Sequence, residues 1–423
     1  MKTPYSLLSP ANLILIFLAM VSIFVTGCQT KEIAKLPDRP AALPAVVSFD
    51  AAIDFAVDDV LIQAQRLPEF RAPPAASGIG AVFSKEQPPP PKILIAVDKA
   101  LDAATGQQTA ATLFLDSRLL ERATARFPSF RVKPLSGGQG DAVRFTLTAS
   151  LTALDMRQGN LASYRVSLAL VDSRSGIVVA QAGARAAGDA VDMTPTPFYR
   201  DSPSMTKDRI VEGQIRTAQT PVGSAADEVY LSSLTVLSMI TEGSRLYDAG
   251  QYAEALAVYE TAAARADGKQ LRVFNGLYLS NTQLGKTEAA EQAFGNIVRL
   301  GLATNSLSVK FLFKPGGIDF WTDPKVSGPY PMWLRALGRD IAASKVCLTI
   351  AGHTSRTGAE AFNERLSLLR AASMQKRIES VSAEVIGRIQ SIGVGFRENL
   401  IGTGTDDARD ALDRRVDFRV RGC

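Results

Sequence analysis

Histidine occurs once in this 423-residue chain, as His353, and cysteine three times, as Cys28, Cys347 and Cys423. These scarcities exclude a histidine-rich metal centre, a C-x-x-C redox pair and a four-cysteine zinc site. They also leave any acid–base chemistry to carboxylates, lysines or tyrosines, because one imidazole cannot fill several roles. No cofactor is implied. There is no run of five or six like charges and the net charge is only +5, so no nucleic-acid-binding tail is indicated. Aromatic residues are few, at 7%, but 46% of the chain is hydrophobic, which suffices for several packed cores and is too apolar for a disordered chain. At roughly 150 residues per domain, the length predicts two to four domains.

What is present begins with an apolar run, Leu13 to Val25 (LILIFLAMVSIFV), broken only by Ser22 and preceded by the single charge of Lys2. A spanning helix needs about 20 such residues, so the run has the length of a signal-peptide core. It ends in Val25-Thr26-Gly27-Cys28. That ending resembles the lipobox of bacterial lipoproteins. An ordinary signal peptide with a chance cysteine and an uncleaved anchor are the alternatives. The resemblance implies a removed signal of 1–27, palmitate and related acyl chains on Cys28, and, with Gln29 next, the periplasmic face of the outer membrane. Each buried acyl CH2 contributes about 0.8 kcal/mol to such an anchor. Residues 28–45 follow as a polar, proline-containing tether.

Residues 46–227 read as one α+β domain with long loops. Ile53, Val57, Val60, Leu61 and Ala64 share a helical face over 47–66, with Asp50 as N-cap. A breaker-rich stretch from Pro73-Pro74 to Pro88-Pro91 reads as an exposed loop. A buried strand over 92–100, a helix over 107–126 with Leu113, Leu120 and Phe127 at heptad spacing, and a strand at 130–134 come next. Three alternating strands follow at 143–154, 161–172 and 176–186, the last two joined at Asp172–Gly176. After the first helix the order is therefore β-α-β-β-β. The strand ILIAV, FTLTASLTAL and YRVSLALVDSRSGIVVAQ together resemble the small periplasmic domain of LpoB- and CsgG-like lipoproteins. Residues 187–227 are polar and read as a surface loop. Its Ser204-x-x-Lys207 has the spacing of a serine acyl-enzyme, but the companions S-D-N and K-T-G are missing.

Residues 228–305 repeat internally. Gly250-x-Tyr252-x-x-Ala255-x-x-x-Tyr259 recurs as Gly285-x-Thr287-x-x-Ala290-x-x-x-Phe294. The offset of 35 residues resembles the tetratricopeptide repeat, which predicts helices near 230–249, 252–266, 269–283 and 287–299. Two such α-hairpins need a neighbour to pack on, and they suit either a groove for a periplasmic protein partner or a spacer. Gly285-Lys286-Thr287 is no phosphate loop, because Ser280 stands where a glycine is needed and the preceding segment is helical.

Residues 306–423 give a βαβαββ pattern: strands at 308–313, 345–353, 388–396 and 414–420, helices at 332–343 and 359–381, and a capping box at Thr357-x-x-Glu360. Four ordered motifs carry a resemblance to the OmpA-like, peptidoglycan-associated domain. They are Gly352-His-Thr354-Ser355-x-x-Gly358, Asn363-x-x-Leu366-Ser367-x-x-Arg370-Ala371, Gly393-x-Gly395 and Asp413-Arg414-Arg415-Val416. The resemblance implies binding of the diaminopimelate stem peptide of peptidoglycan. Arg370 would grip its carboxylate bidentately, with Thr354, Asn363 and Arg415 in support. Asn363 also suits a backbone cap, Arg415 a pair on the sheet, and His353 a packed strand end. The family's aspartate is Ser355 here, an exchange that removes a charge-assisted bond of about 1.5–3 kcal/mol. Asp406, Asp407 or Asp410 are the compensating candidates. Cys347 opens one strand and Cys423 closes the last, so antiparallel neighbours in an oxidising compartment predict a disulfide between them.

Two functions fit this sequence. One is a non-enzymatic outer-membrane lipoprotein that ties the envelope to peptidoglycan and recruits partners. The other is an assembly or regulatory lipoprotein, such as a cell-wall-synthase activator or an accessory of a secretion or motility machine, with a degenerate wall site.

Overall fold

The computed structural model describes residues 46–70, 92–137, 143–154, 163–314, 316–400 and 410–423. The signal segment, Cys28, the tether, most of the proline-rich stretch, Asp406 and Asp407 lie outside them, as does the side chain of Asp410.

Helix α1 (Phe49–Gln65) buries the apolar face of Ile53, Val57, Val60, Leu61 and Ala64. Its N-cap is Ser48, two residues before the expected Asp50, which sits instead in the first turn where a negative charge meets the positive helix end. Strands β1 (Ile93–Val97) and β2 (Leu101–Asp102) lead to α2 (Ala110–Arg126), and β3 (Phe130–Pro134), β4 (Phe145–Ala153), β5 (Tyr164–Asp172) and β6 (Ile177–Ala186) follow. The sheet order is β3-β1-β4-β5-β6, with β2 beside β4. Strand β1 runs parallel to β3 and β4, and β4, β5 and β6 form an antiparallel meander. The buried face of α2 is Ala111, Leu115, Leu119 and Ala123, whereas Leu113 of the expected heptad is 48% exposed. Ion pairs fix that rotation: Arg118 grips Asp54 bidentately (2.7 and 2.7 Å) and Arg122 grips Asp58 (2.9 and 2.7 Å) across the α1–α2 seam.

The polar segment after β6 is not a surface loop. It forms α3 (Pro197–Asp201) and α4 (Arg209–Ala218), and Phe198, Tyr199, Thr206, Gln214 and Ala218 are buried. Its polar atoms find distant partners, which local composition does not reveal. Lys207 Nζ donates to the Ala103 carbonyl (2.8 Å) and Gln214 Nε2 to that of Lys99 (2.8 Å). Met205 N donates to Ser308 O and Lys310 N to Pro203 O, both at 2.9 Å. The segment is therefore a strap that laces the first sheet to the C-terminal strands.

After α5 (Glu228–Leu231), two antiparallel hairpins follow: α6 (Leu234–Asp248) with α7 (Tyr252–Ala263), and α8 (Leu271–Gln283) with α9 (Thr287–Ala303). Gly250 and Gly285 turn the hairpins at φ +75° and +70°, a region open to glycine at little cost. Ala255, Tyr259, Ala290 and Phe294 are all buried. The Tyr259 ring fills the space that Gly276 leaves, where a Cβ would stand 2.3 Å from the ring.

The C-terminal part contains β7 (Leu307–Val309), α10 (Pro324–Ser327), α11 (Tyr330–Ser344), β8 (Cys347–His353), α12 (Glu360–Val381), β9 (Ile389–Gly395) and β10 (Val416–Arg421). The sheet order is β7-β10-β8-β9, with β10 antiparallel to both neighbours and β8 parallel to β9. The expected 308–313 strand stops at Val309. Lys310 turns to the strap, and Phe311 and Phe313 enter the core. One apolar cluster runs from Phe198 and Tyr259 through Phe294 and Trp333 to Phe418, so the hairpins and the C-terminal sheet share a core. Register pairs Arg421 with Cys347, and the Cys347 and Cys423 sulfurs are bonded with their Cα atoms 5.1 Å apart.

Two outcomes are expected. Gly276→Ala forces the Tyr259 ring to move and should cost about 1–3 kcal/mol, read as a lowered melting temperature. Closing a loop of this length is worth about 4 kcal/mol in the chain-entropy account, so Cys423→Ser should lower the reversible unfolding free energy and free one thiol at Cys347 in a non-reducing denaturing assay.

Candidate functional site

The motifs of the C-terminal part converge where β8 gives way to α12. The helix packs unusually close to the sheet, because a Cβ on Gly352 would stand 2.0 Å from the Ser367 carbonyl. Ser367 Oγ in turn accepts from Gly395 N at 2.9 Å. Thr354 N donates to Gly395 O (3.0 Å), and the buried Thr354 Oγ1 has no hydrogen-bond partner among the described residues. The Ser355 and Thr357 hydroxyls bond each other at 3.0 Å.

The expected capping box does not form. Ala359 is the N-cap of α12 and makes no side-chain cap bond. Asn363 does the work, its Nδ2 donating to Thr357 O (2.8 Å) and Ala359 O (3.2 Å), which closes the loop onto the first turn. Glu360 remains in that turn, where the helix end favours a carboxylate.

Arg370 is only 1% exposed. Its Nε donates to the Gly317 carbonyl (3.1 Å), its Nη2 to that of Lys314 (3.2 Å), and the guanidinium lies over the Phe313 ring, 5.2 Å from the centroid. The chain's own carbonyls thus take donors that the sequence assigned to a ligand carboxylate.

Arg415 belongs to a separate network, centred on a residue that the sequence reading passed over. Asp417 accepts from Arg415 Nε (3.2 Å) and Nη2 (3.1 Å) and from Ser308 Oγ (2.6 Å), and His353 Nε2 lies 2.9 Å from its Oδ2. Burial pushes the Asp417 acid up, but the His353 imidazole, the Arg415 charge and the Ser308 hydroxyl hold it well below the usual carboxylate range. Its signal was an acidic residue inside the strand that pairs with the end of β8. His353, Glu398 and Asp417 bring donor atoms within 4.8 Å of one another, the spacing of a cation site. The set does not fit one: Arg415 already holds Asp417, and Arg419 Nη2 holds Glu398 at 2.5 Å. Asp413 is buried and accepts from Leu400 N at 2.6 Å.

Ser204 and Lys207 do not form a catalytic pair. Ser204 Oγ bonds to Asn275, and Lys207 Nζ caps the carbonyls of Ala103 and Ala104.

A second polar cluster sits between the first sheet and the hairpins. Asp98, just after β1, accepts from the buried Tyr230 hydroxyl at 3.0 Å. Lys99 Nζ reaches Gln108 Oε1 and Ser244 Oγ, both at 3.0 Å, and Gln108 Nε2 donates to Asp116 Oδ2 at 3.0 Å. Burial raises the Asp116 acid to about 7, against the opposing effects of the Ala100 N–H and the Lys99 charge.

No family model and no curated protein matches the chain. Several solved structures resemble part of it. The peptidoglycan-associated lipoprotein from Burkholderia pseudomallei is 17% identical over 26% of this chain and 88% of its own, with a TM-score of 0.23. An outer membrane protein from Borrelia burgdorferi B31 is 20% identical over 27% and 86%, with a TM-score of 0.21. The OmpA-like domain of FopA1 from Francisella tularensis is 14% identical over 28% and 75%, also with a TM-score of 0.21.

The Asp116 environment gives a pH test. Its folded pKa lies above the unfolded value, so the folded state holds the extra proton and the stability contributed by this group declines as pH rises from about 4 to about 7. Asp116→Asn does not titrate. The melting temperature of the variant relative to wild type should therefore climb across that window in a pH series of thermal melts.

Proposed function

We propose that this protein is a non-enzymatic, lipid-anchored protein of the outer membrane's periplasmic face, whose C-terminal part docks on peptidoglycan while its helical hairpins recruit a periplasmic protein. One observation supports the reading: Asn363 closes the loop that carries Thr354 and Ser355 onto the start of α12, and Arg370 follows on the same helix, in the order of two sequence motifs. In this reading a diaminopimelate carboxylate displaces the Lys314 and Gly317 carbonyls from Arg370, and Asn363 keeps the loop in place. Among the described residues, no helix is long and apolar enough to cross a membrane. The assignment of the anchor to Cys28 rests on the Val25-Thr26-Gly27-Cys28 ending.

A second reading is an assembly or regulatory lipoprotein, either a cell-wall-synthase activator or an accessory of a secretion or motility machine, with a disused wall site. The burial of Arg370 under its own backbone partners favours it, as does Ser355 in place of a carboxylate. A buried guanidinium with satisfied donors must lose those bonds before it binds anything, which lowers affinity.

Sedimentation of the full chain with purified peptidoglycan sacculi separates the two. On the first reading the wild type sediments, and Arg370→Ala reduces binding about tenfold or more while circular dichroism stays native. Ser355→Asp should raise affinity about tenfold or more, by supplying a charge-assisted bond to the ligand ammonium. If neither the wild type nor Ser355→Asp sediments, the second reading stands.

A further inference from the structure

We propose that the outer flank of α12 is a docking groove for a partner-protein segment that carries a large apolar side chain flanked by carboxylates. The groove holds about 340 Å3 and lies between α12 and the turn after Gly317. Ile318, Leu369 and Ala372 supply its apolar lining, and Ser373, Lys376 and Arg377 its polar lining. Leu369, Ser373, Lys376 and Ser380 follow one another at steps of four, three and four, so they share one helix face.

The floor is apolar and open to water. Ile318 is 40% exposed and Leu369 46%. Single exposed aliphatic residues are ordinary, but a contiguous apolar strip rimmed by polar groups marks an interaction surface. Phe362, also exposed, lies seven residues before Leu369 and extends the same flank.

The rim is positive and uncompensated. Among the described residues neither Lys376 nor Arg377 has a carboxylate partner. Arg377 is held at the rim by stacking over Phe320, 4.3 Å from the ring centroid, and by Nε donating to Ser373 Oγ (3.3 Å). The nearby Glu379 accepts from Gln375 instead, at 2.8 Å. Two cations, one of them held in place, beside an aliphatic floor complement an acidic segment with an apolar anchor. Attraction to an anionic bilayer usually takes a cluster of about four to eight cations, and this groove offers two. A sugar–peptide polymer would bring carboxylates but no large apolar side chain for the floor. The inference is independent of whether Arg370 binds the cell wall.

The test places the photocrosslinker p-benzoylphenylalanine at position 369 of the full chain in the cells that make it, and maps the adducts by mass spectrometry. The expected adducts fall on a protein segment with Leu, Ile or Phe close to at least two Asp or Glu. A synthetic peptide of that segment should bind the purified full chain in fluorescence anisotropy. Joint Lys376→Glu and Arg377→Glu should weaken it about tenfold or more. Leu369→Asp should weaken it similarly, while Leu113→Asp, at an exposed position on α2, leaves it unchanged. Adducts confined to lipid, to peptidoglycan or to a second copy of the chain overturn the proposal. So do the absence of adducts, a mapped segment without carboxylates, and peptide binding indifferent to the charge reversal.

Discussion

The packing of Phe294 against Trp333, ring centroids 5.3 Å apart and nearly parallel, joins the last hairpin to the first long helix of the C-terminal part. Trp333 Nε1 also donates to the Tyr278 hydroxyl at 3.0 Å, so the indole is satisfied at its polar end while its face stays dry. From this contact the apolar cluster spreads both ways, to Tyr259 and Phe198 under the strap and to Phe311, Tyr330 and Phe418 under the C-terminal sheet. Two helical hairpins bury too little surface to stand alone, and here the missing surface comes from α11 and β7. The strap closes the arrangement from the other side by bonding to β7 while its own aromatics enter the same core.

Charge is organised around this frame in two different ways. Near the end of β8, the His353, Arg415 and Ser308 groups around Asp417 outweigh its burial and favour the ionised carboxylate. Between the first sheet and the hairpins, Asp98, Lys99 and Asp116 crowd together where burial opposes charge, raising both acids and lowering the lysine. The first network holds two strands in register. The second lies across a contact between parts of the chain far apart in sequence.

Much of the fold was legible in the sequence because it is written locally. The glycine and aromatic spacing of the hairpins, the alternation of β4, β5 and β6, and the motif order of the C-terminal part each reflect contacts within a few tens of residues. The failures share a cause. The strap looked like a loop because its lysine, glutamine and serine partners lie on elements remote in sequence. The heptad of α2 placed Leu120 and Phe127 on the core but not Leu113, and α2 is tied to Asp54 and Asp58 of another helix. At the candidate site, residue types and order single out the motif residues but not the partners of Arg370. They are backbone carbonyls of Lys314 and Gly317, and a carbonyl leaves no mark in a side-chain pattern. Asp417 escaped for a related reason, since its importance rests on His353 across the sheet rather than on any neighbour in the chain.

The shared core also bears on modularity. The C-terminal segment looks in sequence like a cassette that could be excised near residue 305 and moved elsewhere. Such a cut would strip α9 and the strap from α11 and β7, baring Trp333, Phe311 and Val309, all now buried. The severed piece would carry a fresh sticky face and a β7 edge without its strap, both invitations to aggregation. A stable fragment of this part must therefore carry the hairpins and the strap with it, because they cover its core.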